Sequence, residues 1–302
     1  MQVILQQFKA FLYQVGYSES TQKMLPALVE EFIQQQGITD ISCVEQEKVK
    51  SFYGYLQTRP LQRRSGALSE MMISHYVYAL KTFFSWAEVT EQIDYNPISG
   101  MKFKRPKQQV REPLTIAEIR QLFDTAGTLK ETAVLHIFYS CGLRRSEGEA
   151  LNISDIHFKQ QLLYVRAGKG AKRRVVPVTA KVSAALEDYY LNERCLPNPS
   201  NLSAGAEGGA YKGSDTEAFF LNSRGRRLNG DVLNRLLKEL VEKSAIRHQR
   251  SDITLHHLRH SIATHLLQSG MSMEYVRDFL GHSFLETTQV YAKPQAEQLK
   301  LL

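Results

Sequence analysis

LHHLRHSIATHLLQSG, residues 255–270, and VRDFLGHSFLETTQVYA, residues 276–292, are the stretches on which the reading of this chain turns. In both, apolar residues return at steps of three and four, the spacing of one helical face. They predict a helix over 257–270, closed by Gly270, and another over 272–280, opened near Ser272. Polar groups of another kind punctuate the pattern at His256, Arg259, His282 and, nine residues further on, Tyr291. Taken singly, none of them carries chemistry. A helical histidine is ordinarily a hydrogen-bonded structural group, an arginine a solvated or paired surface group, and a tyrosine near a chain end part of the packing.

Two islands upstream change that. SCGLRRSEGEALNISDI, residues 140–156, sets Arg144 and Glu147 just after a Gly-Leu step. GKGAKRRVVPV, residues 168–178, sets Lys169 in a Gly-Lys-Gly turn, by itself only an exposed hairpin tip. Alternating stretches at 161–166 and 174–178 flank that turn and predict a small antiparallel hairpin. The combined set has one consistent use. Two planar guanidinium forks suit the non-bridging oxygens of a phosphodiester, and they stabilise the charge that grows as phosphorus becomes five-coordinate. A lysine on a hairpin can protonate a departing oxygen. Histidines can hold the phosphate or take a proton from an attacking hydroxyl. A tyrosine hydroxyl becomes a nucleophile once its proton is removed. No acidic cluster is placed to hold paired magnesium ions. The cations come from side chains, and neither metal nor cofactor is expected.

Further from these islands the chain reads as helices. Ile4, Leu5, Phe8, Phe11, Leu12 and Val15 mark one face of a first helix, and a second runs over 20–36, where Pro26 should start or kink it. A third covers 44–56. A fourth begins at Ser69, an N-cap, turns Met72, Tyr76, Leu80, Phe83 and Ala87 inward, and stops by Asn96-Pro97. KFKRPKQQVR, residues 102–111, has five basic residues and no acid, cannot build a core, and reads as a linker. Beyond it, Thr115 with Glu118 forms a capping box. Apolar helical patterns follow over 133–139, 182–193 and 230–243. The stretch 197–214, rich in Pro, Asn, Ser, Gly and Ala, reads as a surface loop.

Bulk properties agree with a polyanionic partner: the formal charge is +7, with 43% hydrophobic residues, normal for a folded chain. No apolar run approaches the roughly 20 residues of a membrane span. MQVILQQFKAFLY reads as an amphipathic helix rather than a secretion signal. Cys43, Cys141 and Cys195 lie far apart without metal-ligand spacing, which fits a reducing, cytoplasmic setting and no membrane.

In these islands the chain resembles the tyrosine site-specific recombinases, the phage-type integrases of the Xer, Cre and lambda-integrase kind. Residues 140–156 resemble the family's TGLRxSELxxLxxxDI, and residues 168–178 its GKGNKERxVPL. Residues 255–270 and 276–292 resemble the boxes of its second arginine, second histidine and tyrosine, and TFFSWAEVTEQIDYNP, residues 82–97, the end of its core-binding domain. The resemblance implies a mainly α fold (α+β overall). An N-terminal four-helix core-binding domain would span 1–101 and a basic linker 102–112. A mostly helical catalytic domain with a small antiparallel β-sheet would span 113–302. It implies that Arg144 and Arg259 clamp the scissile phosphate, Lys169 protonates the 5′-oxygen, His256 assists proton transfer, His282 hydrogen-bonds the phosphate, Glu147 supports the pocket, and Tyr291 forms a 3′-phosphotyrosyl link. It implies that no metal or cofactor takes part, and that the partners would be specific double-stranded DNA sites and further copies of the chain, as a tetramer on two sites.

The chain departs from the family at Arg145, where an apolar residue is usual, and at Gly148, where Leu is usual. A helical glycine costs about 1 kcal/mol, so local looseness is expected beside the clamp. Cys141 stands where Thr is common and reads as a small buried residue. His257, His260 and His265 match no required position and read as structural. For DNA contact the candidates are Lys102, Lys104, Arg105 and Lys107 of the linker and Lys172, Arg173 and Arg174 of the hairpin. On helices two and four they are Gln22, Lys23, Ser74, His75, Tyr78 and Lys81, with Arg63 and Arg64 on a loop. In the family a C-terminal segment docks on a neighbouring subunit, and Leu299, Leu301 and Leu302 would form such a knob. Two other readings stay open: an enzyme that cuts and reseals a single duplex, and a catalytically silent DNA-binding protein.

Overall fold

The computed structural model describes residues 1–60, 66–106, 112–166, 173–194, 217–248, 250 and 253–281. The chain divides into two compact units, 1–110 and 111–302. It is mainly helical, with one small antiparallel sheet, as the sequence predicts.

In the first unit α1 (Gln2–Gln14), α2 (Glu19–Gln35), α3 (Gln46–Thr58) and α4 (Glu70–Val89) enclose an aromatic core. Phe8 packs edge-on to Phe83, and Phe32 edge-on to both Phe52 and Phe84. Ser18 and Ser69 cap α2 and α4 by accepting the Thr21 and Met72 amides. The structure corrects the sequence reading in three places. Val15 is exposed, because α1 ends at Gln14. Pro26 does not start α2 but lies inside it. The buried face of Leu25, Leu28, Val29, Phe32 and Ile33 holds both sides of the proline on one core. And α4 ends at Val89, well before Asn96-Pro97.

The start of the basic stretch also departs from the sequence reading that it cannot take part in a core. Met101 and Phe103 pack on the first unit's core. Phe103 meets Tyr53 edge-on, Lys81 sits 5.5 Å from its ring centroid, and Lys104 pairs with Glu70.

The second unit opens with α5 (Ile116–Thr125), whose capping box between Thr115 and Glu118 forms as read. Next, α6 (Leu129–Leu135) runs into a wider π-helical turn, His136–Ser140. A short α7 (Arg145–Glu149) follows, and then β1 (Ile156–His157), β2 (Leu162–Val165) and β3 (Arg174–Pro177), in that order across the sheet. The predicted hairpin is β2–β3, with Val165 opposite Arg174; β1 is an addition to it. The unit is completed by α8 (Ala180–Asn192), α9 (Gly230–Lys243), α10 (Leu255–Gln268) and α11 (Met273–Leu280). Two of the expected features, the loop at 197–214 and the terminal leucines, lie outside the described residues.

Gly148 is the clearest reversal. It is buried, and a Cβ on it would lie 2.4 Å from the Phe138 ring. The glycine marks tight packing of α7 on the π-helical turn, not the expected looseness. Cys141 is buried as read, and burial pushes its thiol up to about 12. Among the described residues no helix is long and apolar enough to cross a membrane.

Candidate active site

The site starts at the turn after Ser140. Gly142 has φ of +61°, which L side chains rarely adopt, and a Cβ there would come within 2.9 Å of Leu280. Leu143 then anchors in the core, and the chain enters α7 with Arg144 as its N-cap. The Arg144 amide donates to Glu147 Oε2 at 2.8 Å, and its guanidinium Nη1 to Oε1 at 2.7 Å. One carboxylate thus caps the helix and holds the arginine that precedes it.

Arg259 reaches the same place from α10. Its side chain is 1% exposed, and it donates to the carbonyls of Gly142 and, at 2.7 Å, Leu280. It lies 3.9 Å from Glu147 Oε2. Sequence separation between Arg144 and Arg259 is long, yet both face one carboxylate and the end of α11, so the structure does bring these two together.

A third arginine joins them. Arg174, read from sequence as a DNA contact on the hairpin, turns inward instead. Its side chain is 8% exposed, with Nη1 and Nη2 on the two Glu147 oxygens at 3.0 and 2.8 Å and Nε on the Phe279 carbonyl at 3.0 Å. The reason is the strand period. Val176 and Val178 face the core, so Arg174 faces it too, while Arg173 points out to solvent. That register was the available signal in the sequence.

Burial by itself pushes the Glu147 carboxyl up, but the Arg174 fork, and then Arg144, bring it down to about 2. It is a fixed anion. Among the described residues the cluster therefore sets three guanidiniums against one carboxylate, an excess of positive charge in a largely buried wall. Such a wall suits a phosphodiester.

His256 is exposed on the first turn of α10. His257, read as structural, is buried and accepts the Thr254 amide at Nδ1, closing the start of that helix. His265 contacts the Tyr139 hydroxyl at 2.9 Å. Lys169, Lys172, His282 and Tyr291 lie outside the described residues, as do Lys107, Arg63 and Arg64. Lys102, Arg105 and Lys81 are exposed, Lys81 with its ammonium over the Phe103 ring, and His75 is half-buried on α4. No cluster of His, Cys, Asp and Glu suited to a metal ion occurs among the described residues.

Residues 112–298 match the Phage integrase family. Tyrosine recombinase XerD of Mycobacterium tuberculosis (strain CDC 1551 / Oshkosh) is 31% identical over 268 residues, 86% of this chain and 81% of XerD. The chain belongs to the phage integrase family of tyrosine recombinases. This recombinase is also similar to tyrosine recombinase XerC of Chromohalobacter salexigens, at 30% identity over 267 residues, 87% of this chain and 80% of XerC. The Tn1549 transposon integrase, solved in complex with transposon right end DNA, shares the fold, with a TM-score of 0.71 at 19% identity and 98% and 99% coverage. The recombinase is accordingly an enzyme of site-specific DNA recombination, which cleaves and rejoins DNA strands.

Proposed function

We propose that this recombinase cuts DNA by attack of the Tyr291 hydroxyl on a phosphate held between Arg144 and Arg259. In the cutting step the tyrosine oxygen–phosphorus bond forms and the bond to the 5′-oxygen breaks. His256 takes the tyrosine proton, Lys169 supplies one to the departing 5′-oxygen, and His282 donates to the phosphate. A 3′-phosphotyrosine remains, so that a new 5′-hydroxyl can reverse the step without ATP or metal. The observation that carries this reading is the group of three arginines around Glu147, with an excess of positive charge facing the end of α11 directly before His282.

In the same reading residues 1–101 and residues 113–302 each bind double-stranded DNA, and the basic stretch 102–112 joins them. Lys102, Lys104, Arg105, Lys107, Lys172 and Arg173 lie along its backbone, and His75 and Lys81 face it from α4. Four copies act across two sites in the cytoplasm, to integrate or excise a mobile element or to resolve DNA dimers.

The test uses a nicked suicide duplex built on the highest-affinity sequence that the wild-type protein selects from a randomised duplex library. A covalent protein–DNA adduct is expected from wild type and none from Tyr291→Phe. An adduct that persists in Tyr291→Phe refutes the nucleophile; no adduct from wild type on a duplex it binds refutes the cleavage reading. Exchange of strands between two labelled duplexes separates a recombinase from an enzyme that reseals one duplex.

A further inference from the structure

We propose that Arg174 is a positioning residue for strand cleavage: it holds Glu147, and through it Arg144, while fixing the Phe279 carbonyl three residues before His282. The proposal rests on the reading of Arg144 and Arg259 as the phosphate clamp.

Three features point to it. First, each nitrogen of the Arg174 guanidinium donates a hydrogen bond inside the protein, Nη1 and Nη2 to Glu147 and Nε to Phe279, and the side chain is almost wholly covered. That geometry fits a brace. Second, three guanidiniums take three consecutive carbonyls at the end of α11: Arg174 that of Phe279, Arg259 that of Leu280, and Arg144, at 2.9 Å, that of Gly281. The final carbonyls of a helix lack partners within it and carry its negative dipole end, so cations are their natural partners. If Arg144 and Arg259 turn to a phosphate, as the clamp reading requires, Arg174 is left to hold the α11 end. Third, the chain makes room for it. Gly281 has φ of +65°, and a Cβ there would lie 2.9 Å from Arg174 Cδ and 3.0 Å from its Nη1. Arg174 also opens β3, opposite Val165, so it ties the hairpin that carries Lys169 to the clamp and to the α11 end.

Among the described residues, the charged groups facing Glu147 are Arg144 at the start of α7, Arg174 on β3 and Arg259 on α10. The buried Cys141 thiol, protonated at neutral pH, lies within the field of Arg174. Removing Arg174 leaves the upward push of burial on Glu147 opposed by fewer charges, and its carboxyl should protonate at a higher pH.

The experiment is single-turnover adduct formation on the selected suicide duplex, pre-bound at saturating protein, across a pH series. Arg174→Lys and Arg174→Met should cleave about 10- to 100-fold more slowly, with duplex affinity in a gel shift changed far less. Arg174→Met should gain an additional acid limb, beyond the loss that protonation of His256, the proposed base, brings to wild type and variant alike. In Arg174→Met/Glu147→Gln that limb should vanish, with a rate no lower than that of Glu147→Gln alone. Gly281→Ala, which keeps the charge but crowds the brace, gives a second variant and should slow cleavage in the same direction. Equal losses in affinity and cleavage would make Arg174 a phosphate anchor. A wild-type pH profile, with cleavage tracking the folded fraction in thermal denaturation, would make it only a fold residue. Either result overturns the proposal. Arg144→Ala in the same assay keeps the two readings apart: cleavage at the wild-type rate sinks the clamp itself, whereas a dead Arg144→Ala beside a normal Arg174→Met sinks only the brace.

Discussion

Both units of the recombinase enclose a carboxylate with arginine, and the two enclosures are built differently. In the first, Glu31 takes the Tyr76 hydroxyl at 2.6 Å and pairs with Arg59, which also donates to the Tyr76 oxygen at 3.0 Å. One anion meets one cation, and the tyrosine fills the remaining acceptor. Burial, then Glu31, pushes that tyrosine up to about 12, so it stays a neutral donor. In the second, Glu147 faces three guanidiniums. The first network is closed on itself and ties α2, α3 and α4 together. The second is one anion for three cations, an arrangement that makes chemical sense when another anion comes to it.

The comparison breaks most sharply at the clamp. Arg144→Ala and Arg259→Ala should each lower cleavage of the suicide duplex by about 100- to 1,000-fold, and duplex affinity by far less. Matched losses would make the second network no more catalytic than the first. A smaller effect concerns acid. The Glu147 carboxyl titrates near 2 in the folded protein against an ordinary 4.5, so its contribution to stability is complete above about 4.5 and lost as pH falls toward 2. It amounts to about 3 kcal/mol at neutral pH. Denaturant midpoints measured down that pH range should fall in wild type and fall less in Glu147→Gln; parallel curves would contradict the fixed charge. Smaller again, Tyr76→Phe should cost about 1 kcal/mol of stability in urea unfolding and leave the cleavage rate of the folded enzyme alone. A cleavage defect there would show that the closed network is not merely structural.

How much of this was readable beforehand follows physical lines. The capping box at Thr115–Glu118 and the helix Gly230–Lys243 were legible because caps and helical periodicity are local. So was the convergence of Arg144 and Arg259 on one place, through the motifs around each. The strand β1 is two residues long and has no period to read; it exists because β2 offers it an edge. The π-helical turn at His136–Ser140 looks like ordinary helix in sequence. Arg174 was misread because a run of basic residues suggested one shared face, whereas a strand sends neighbours to opposite sides. Gly148 was misread because helix propensity is a local quantity, and what decides that position is Phe138, ten residues away.

That last contact has a consequence for how the sequence can drift. With a ring already filling the space beside residue 148, a larger side chain there is admissible only if residue 138 shrinks, and a smaller residue 138 leaves a void unless 148 grows. Neither substitution is neutral alone, so the two positions behave as one locus with two settings. Gly148→Leu and Phe138→Ala should each be poorly tolerated in this background, and together should repair one another.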